Sequence, residues 1–298
     1  MPVAKIDRLK KLGLGTVQWG MDYGSITNAR QTPQSVVRGI LNHANKSGIS
    51  ILDTAPLYGD AEIVVGRNIL PDSSFRIVTK TPGFGEKPNP AIARETLLRS
   101  LDRLRIPHIY GLIVHHCKDL LTEDGDKLWD SLVNLRNEGL VKKIGVSAYT
   151  PDQINVVADR YAIDLVQAPL SIIDQRLVTT GTLDRLKREG IEFHARSIFL
   201  QGLLLTDPNS LSEYFAPFLD HLKAYWDNLS KLDISPLQAA LAYPLTLRNV
   251  DTVLCGVNSL EQLKDIVSAA SIDLDISSIS GFSYDDPYLL NPSLWQIK

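Results

Sequence analysis

ILDTAPLYGD (residues 51–60), FRIVTKTP (75–82) and YGLIVHHC (110–117) repeat one pattern. Each is a short run of Ile, Leu and Val that ends at or near a residue able to give or take a proton. Asp53 and Tyr58 follow the first run, Lys80 the second, and His115 and His116 the third. Short apolar runs of this kind suit the buried strands of a parallel sheet. If the three are successive parallel strands, an acid, a phenol, an amine and an imidazole emerge together at one end of one sheet.

The same alternation extends in both directions along the chain. Strand-like runs stand at about 12–16, 50–53, 75–79, 109–114, 142–146, 163–167, 191–195 and 252–256. Between them lie segments with apolar residues at helical spacing, including PQSVVRGILNHANKSG, PAIARETLLRSLDRL, DKLWDSLVNLRNEG and SPLQAALAYPL. Thr32-Pro33, Asn89-Pro90, Thr150-Pro151 and Ser235-Pro236 each place a cap residue before a proline, a helix-start signal. Gly48, Gly139 and Gly190 stand where helices should stop. Eight strands, each followed by helix, predict a (β/α)8 TIM barrel formed as a single domain over 1–298. A doubly wound open sheet is the rival. GLGTVQWG (13–20) resembles its phosphate-binding turn only superficially, because the third glycine is missing. Two long stretches, 206–235 and the C-terminal tail 272–298, are expected to flank the barrel mouth.

Composition narrows the functional classes. The 298 residues carry a formal net charge of −3, with 44% hydrophobic and 22% charged residues. No basic run points to nucleic acid. No apolar run approaches the roughly 18 residues of a membrane span. The two cysteines, Cys117 and Cys255, are far apart and have no metal-ligand spacing. With no apolar signal segment at the N-terminus, the expectation is a cytoplasmic protein acting on a small-molecule carbonyl substrate.

Carbonyl chemistry follows from the residue types. A phenol beside an ammonium can donate a proton to a carbonyl oxygen. The ammonium is expected to lower the phenol's pKa from its free value of about 10. Lys80, if buried, needs a counter-charge, and Asp53 can supply it. His115 can orient or polarise the carbonyl. His115 and His116 are not expected to share a metal ion, because neighbours on a strand point to opposite faces. No side chain can deliver a hydride, so a reduction needs a cofactor.

On these residues the chain resembles the aldo-keto reductases, NADPH-dependent (β/α)8-barrel enzymes. DTAPLYG, VTK and RLRIPHIYGLIVH carry the resemblance, which runs from residue 13 to about residue 263. It implies that Tyr58 is the general acid, that Asp53 and Lys80 tune it, and that His115 rather than His116 positions the carbonyl. GVSAY (145–149) is similar to the segment that holds the nicotinamide carboxamide through Ser147, although Ala148 replaces the usual asparagine. Gln167 matches the glutamine on the other side of that group. HARSIFLQGLLL (194–205) is similar to the loop around the pyrophosphate, with Ser197, Gln201 and Gly202. Arg196 stands there in place of a stacking aromatic, and its guanidinium can itself stack on a planar ring.

CGVNSLEQL (255–263) resembles the segment that grips the adenosine 2′-phosphate. It offers Gly256, Asn258, Ser259 and Gln262 but no cation, and Ile266 replaces a downstream asparagine. Thr16, Gln18 and Asp53 complete the expected cofactor set. The resemblance implies NADPH, with NADH possible. Trp19, Tyr23, Leu57 and His116, with Phe84, Tyr288 and Trp295, are expected at the substrate mouth, which suits a sugar-like aldehyde. Two other functions compete: a nucleotide-binding accessory protein of the same fold with little turnover, and a barrel lyase or epimerase using Lys80 as a Schiff base.

Overall fold

The computed structural model describes residues 8–24, 26, 30–70 and 72–297. Eight strands form in chain order: β1 (Leu12–Gly15), β2 (Ile51–Asp53), β3 (Arg76–Lys80), β4 (Ile109–Val114), β5 (Val141–Ser147), β6 (Leu165–Pro169), β7 (Glu192–Arg196) and β8 (Thr252–Gly256). Each pairs in parallel with the next, and β8 pairs with β1 to close the barrel. Closure leaves no exposed sheet edge.

Helices fill the crossovers. After β1 come α1 (Val17–Gly20) and α2 (Gln34–Lys46); α3 (Ala61–Asn68) follows β2, and α4 (Pro90–Leu104) follows β3. Then α5 (Gly125–Asn137) follows β4, α6 (Pro151–Arg160) follows β5, and α7 (Arg176–Thr179) with α8 (Thr182–Arg188) follows β6. Two helices follow β7, namely α9 (Leu219–Lys231) and α10 (Pro236–Thr246). β8 leads to α11 (Leu260–Ala270), and the tail holds α12 (Pro287–Leu290).

Local chemistry explains most boundaries. Asn89 caps the Ala91 and Ile92 amides of α4, Thr150 caps Gln153 of α6, and Ser235 and Gln238 close a reciprocal capping box on α10. Thr32 does not act as a cap. Helix α2 starts at Gln34 with Pro33 at the cap position, and the Thr32 hydroxyl donates instead to Asn258 Oδ1 (3.1 Å). Gly48, Gly139 and Gly190 take left-handed φ of 80°, 78° and 73° where their helices stop. The strand expected at 163–167 lies at 165–169. Ahead of it, the Asp164 carboxylate accepts from the Ile144 N–H and from Arg136, a side-chain pairing at the point where the strand begins.

Apolar side chains sort into three groups. Ile51, Val78, Ile113, Leu165 and Leu254 fill the barrel interior. A larger layer, including Leu41, Leu97, Leu132, Phe193 and Leu263, lies between barrel and helices. A separate cluster joins Ile172 and Ile173 after β6, Leu200, Leu203 and Leu204 after β7, Phe215 and Tyr225 from the insertion, and Leu289 and Leu290 from the tail. The long segments therefore pack on each other and on the loops at the C-terminal end of the barrel. Tyr284 N–H donates to Ile173 O (2.9 Å), and Gln175 Nε2 to Ser280 O (2.8 Å).

The opposite end of the barrel is closed by polar groups. Tyr110 Oη donates to Glu192 Oε2 (2.6 Å), Lys143 Nζ donates to the same oxygen, and His194 Nε2 meets Glu192 Oε1 at 2.7 Å. Burial opposes ionisation of Glu192. These three partners outweigh it and hold the carboxyl well below its usual range.

Candidate active site

Successive strand ends are tied together just above the barrel. The Thr54 N–H donates to Val78 O, the Thr81 N–H to Ile113 O, and the His115 N–H to Thr81 Oγ1 (3.2 Å). This lacing brings Asp53, Lys80 and His115 to one wall. Lys80 Nζ donates to both oxygens of Asp53 (2.8 and 2.7 Å) and to Thr54 O (2.9 Å). Gln167 Nε2 donates to Asp53 Oδ1 (2.7 Å), so the carboxylate is held by a cation and an amide together. Burial alone would drive Lys80 towards its neutral amine. The Asp53 carboxylate and Tyr58 outweigh it, and the ammonium pKa is raised.

Tyr58 reaches the same point from a loop fixed by close backbone contact. A Cβ on Gly20 would stand 1.8 Å from Tyr58 O and 2.3 Å from Ala61 N. One on Gly59, whose φ is +54°, would stand 2.3 Å from Gly20 O. Only glycine at both positions lets α1 and the loop after β2 meet this closely. The Lys80 ammonium lies 5.0 Å from the Tyr58 ring centroid. Its charge lowers the phenol's pKa, as the sequence suggested, but burial is the larger effect and the net shift is upward. Tyr58 is thus a protonated donor at neutral pH, with a cation placed to receive the phenolate it leaves.

His115 and His116 depart from the expected opposite orientation. β4 ends at Val114, so strand alternation no longer applies, and the two imidazoles stack at 4.9 Å and 27°. His115 also meets the Tyr58 ring edge-on at 6.1 Å. Burial, with help from Lys80, His116 and Arg196, lowers its pKa to about 3, so the ring is neutral. Its Nδ1 is buried without a partner. Among the described residues, no cluster of three or more His, Cys, Asp or Glu could hold a metal ion.

These groups line one wall of a cavity of about 510 Å³ at the C-terminal end of the barrel. Gln18, Tyr23, Ser147 and Gln167 line it from other strand ends and loops. Arg196, Ser197, Gln201 and Gly202 line it from β7 and the loop that follows, and Gly256, Asn258 and Gln262 from β8 and the start of α11. The cavity thus runs from the barrel axis outward, between the loop after β7 and α11. Several residues expected at the site lie elsewhere. Thr16 is buried outside the cavity lining, with its hydroxyl unpartnered. Trp19 is 0% exposed and donates its Nε1–H to Val257 O (2.9 Å), so it is a core residue. Leu57 is 54% exposed and does not line the cavity. Phe84 packs on the outer core. Tyr288 is 60% exposed, and Trp295 packs edge-on against Phe215 at 5.0 Å; neither lines the cavity.

Arg196 finds its planar partner within the protein. Its guanidinium lies 4.3 Å from the Tyr149 ring centroid and donates to Ala148 O (3.1 Å) and Ser197 Oγ (3.3 Å). Tyr149 and Asp265 both line the cavity and were missed in the sequence. Tyr149 follows Ser147 by two residues, and Asp265 follows Gln262 by three on one helix face, which is the signal that was available.

The chemistry of the wall fits a nicotinamide dinucleotide. The Gln18 Oε1 acceptor is buried with no partner. The loop after β7 places Ser197, Gln201 and Gly202, all at positive φ, along the cavity, so a polar loop borders it; the Gly202 N–H itself donates to Phe199 O (3.0 Å).

Comparison with known proteins agrees with this architecture. The chain is 27% identical over 305 residues to the NADH-specific methylglyoxal reductase of Escherichia coli (strain K12), covering 89% of this chain and 91% of that protein. It is 25% identical over 300 residues to the L-galactose dehydrogenase of Arabidopsis thaliana, covering 92% and 89%. An aldo-keto reductase of Bacillus halodurans, solved in its holo form, shares the fold with a TM-score of 0.75 at 24% identity, covering 96% of this chain and 94% of that one. The profile of the aldo/keto reductase family matches residues 11–283. A closed parallel barrel with this match along nearly its whole length places the chain in the aldo/keto reductase family.

Proposed function

We propose that this protein reduces the carbonyl of a small polar, sugar-like aldehyde or ketone to an alcohol, with a nicotinamide dinucleotide as cofactor. The observation that carries the reading is the buried Asp53–Lys80 pair beside Tyr58 and the neutral His115 at the inner end of the cavity. When bound, the reduced dinucleotide supplies the hydride. The protein's own part is proton transfer and orientation. Tyr58 gives its phenolic proton to the carbonyl oxygen, and the Lys80 ammonium stabilises the phenolate until solvent restores the proton. His115 presents an imidazole to the same oxygen, and Asp53 keeps Lys80 charged. Ser147 and Gln167 would hold the carboxamide, and the loop at 197–202 the phosphates. Between NADPH, which the family resemblance implies, and NADH, the choice turns on the charge at the outer end of the cavity.

The relatives' names support a carbonyl or sugar substrate, since one is a methylglyoxal reductase and another a sugar dehydrogenase. The raised pKa of Lys80 argues against a Schiff base, because an amine must lose its proton to attack a carbonyl. The test is oxidation of the reduced dinucleotide, followed by absorbance, across a panel of aldehydes and sugars. Tyr58→Phe should lower kcat by about a hundredfold or more while dinucleotide binding persists. Undiminished turnover in that variant would remove Tyr58 from the proposed role.

A further inference from the structure

The outer end of the cavity differs in charge from the inner end. It is formed at the start of α11 by Asn258, Gln262, Asp265 and Ile266. The cations lining the cavity are Lys80, bound by Asp53, and Arg196, stacked on Tyr149, and neither belongs to this end. The helix start is also closed by its own side chains. Gln262 Oε1 accepts from the Asn258 N–H (2.7 Å), Ser259 Oγ accepts from the Gln262 N–H (3.1 Å), and Asn258 Oδ1 accepts from the Thr32 hydroxyl. One first-turn donor of the helix, the Gln262 N–H, is thereby used within the protein, as are the Asn258 N–H and the Thr32 hydroxyl beside it. Of the charged residues on the first turns of α11, Glu261, Lys264 and Asp265, the exposed Asp265 lines the cavity, and it enters no ion pair among the described residues.

Resting on the dinucleotide reading above, we propose that Asp265 makes this end of the cavity select NADH over NADPH. Hydride transfer requires the nicotinamide close to the carbonyl held by Tyr58 and His115, at the inner end. The adenosine half then extends outward to α11. A free ribose 2′-hydroxyl can donate to the Asp265 carboxylate, a charge-assisted hydrogen bond. A 2′-phosphate in the same place meets a carboxylate of like charge and no cation among the residues that line this end of the cavity.

The test is direct binding. Purified protein is titrated with NADH and with NADPH, each followed by nicotinamide fluorescence and by calorimetry, so no substrate is required. NADH should bind roughly tenfold or more tightly than NADPH. Asp265→Asn should narrow that ratio severalfold by improving NADPH binding, with the thermal midpoint unchanged. Raising the salt concentration should narrow the wild-type ratio as the repulsion is screened. NADPH binding equal to or tighter than NADH overturns the inference and leaves the reductase reading standing. An unchanged ratio in Asp265→Asn removes Asp265 from the role. Failure of either dinucleotide to bind overturns the inference and the functional reading together.

Discussion

Tyr58 and His115 are shifted in opposite directions by the same burial, and the shifts divide their tasks. The phenol is pushed up and stays protonated; the imidazole is pushed down to about 3 and stays uncharged. The rate of reduction should therefore be flat across the neutral range and fall only on the alkaline side, as Tyr58 loses its proton. A profile of kcat/KM from about pH 5 to about pH 10 checks this; an acid limb near 6.5 would mean that His115 titrates as a free imidazole. Stability carries a related signature. Between pH 6.5 and about 3 the unfolded chain binds a proton at His115 that the folded chain does not, so this residue makes the fold less stable as pH falls through that window.

At this scale the sequence was readable where chemistry is carried by residue type and poorly readable where it depends on direction. Asp53, Tyr58, Lys80 and His115 meet because strand ends converge, and strand ends can be located from apolar runs. Trp19 and Leu57 were expected at the mouth because both stand beside site segments. Yet an indole facing inward and one facing a cavity look alike in sequence, and only the Nε1–H bond to Val257 O shows which way Trp19 turned. The two histidines illustrate the same limit, since one residue past the end of β4 the rule of alternating faces lapses.

Elements hold these residues in place through a few contacts. Gly20 and Gly59 let α1 and the loop after β2 touch backbone to backbone, and Tyr58 sits between them. Gly20→Ala forces that loop to move. Its expected effect is a fall in kcat larger than its effect on the thermal midpoint, measured side by side. At the other end of the barrel, Glu192 ties β7 to β4 and β5 through Tyr110 and Lys143. Because its folded pKa is depressed, its contribution is complete above the free carboxylate value of about 4.3 and is lost as pH falls through the lower folded value. Glu192→Gln should thus lower the unfolding midpoint near neutral pH, and the gap to wild type should close in acid. A gap that stays constant with pH would show that the ionised carboxylate contributes nothing.

Element order was legible in the sequence because eight apolar runs alternate with amphipathic helices and caps. Boundaries were less so: at β6 the side chain of Asp164, rather than apolar content, marks where pairing begins. The face of α11 was legible as far as Gln262, and continuing one helical step would have reached Asp265.

With the small cluster inside the barrel counted with its surrounding layer, the molecule has two apolar masses. The barrel and its outer helices form one; the insertion, the tail and the loops after β6 and β7 form the other. Ser197, Leu200 and Gln201 adopt left-handed backbone at a cost of order 1 kcal/mol each, and burial of Leu200, Leu203 and Leu204 in the second mass holds them there. Phe215, fully buried between Tyr214 and Trp295, is central to that mass. Phe215→Ala should cost about 3–5 kcal/mol in the stability of this part. It should weaken dinucleotide binding more than it alters the pH dependence of the remaining turnover, as titration and kinetics on the same preparation would show.

Because the acid–base groups stand on one mass and the loop proposed to hold the dinucleotide phosphates is anchored in the other, the two halves of the site can drift apart in evolution at different rates. Substitutions in the tail or insertion should change how long the dinucleotide stays without passing through an inactive proton donor. On the proposed reading a bound dinucleotide would touch both masses and act as a strut between them, so occupancy should slow amide exchange along the tail, far from any atom it touches.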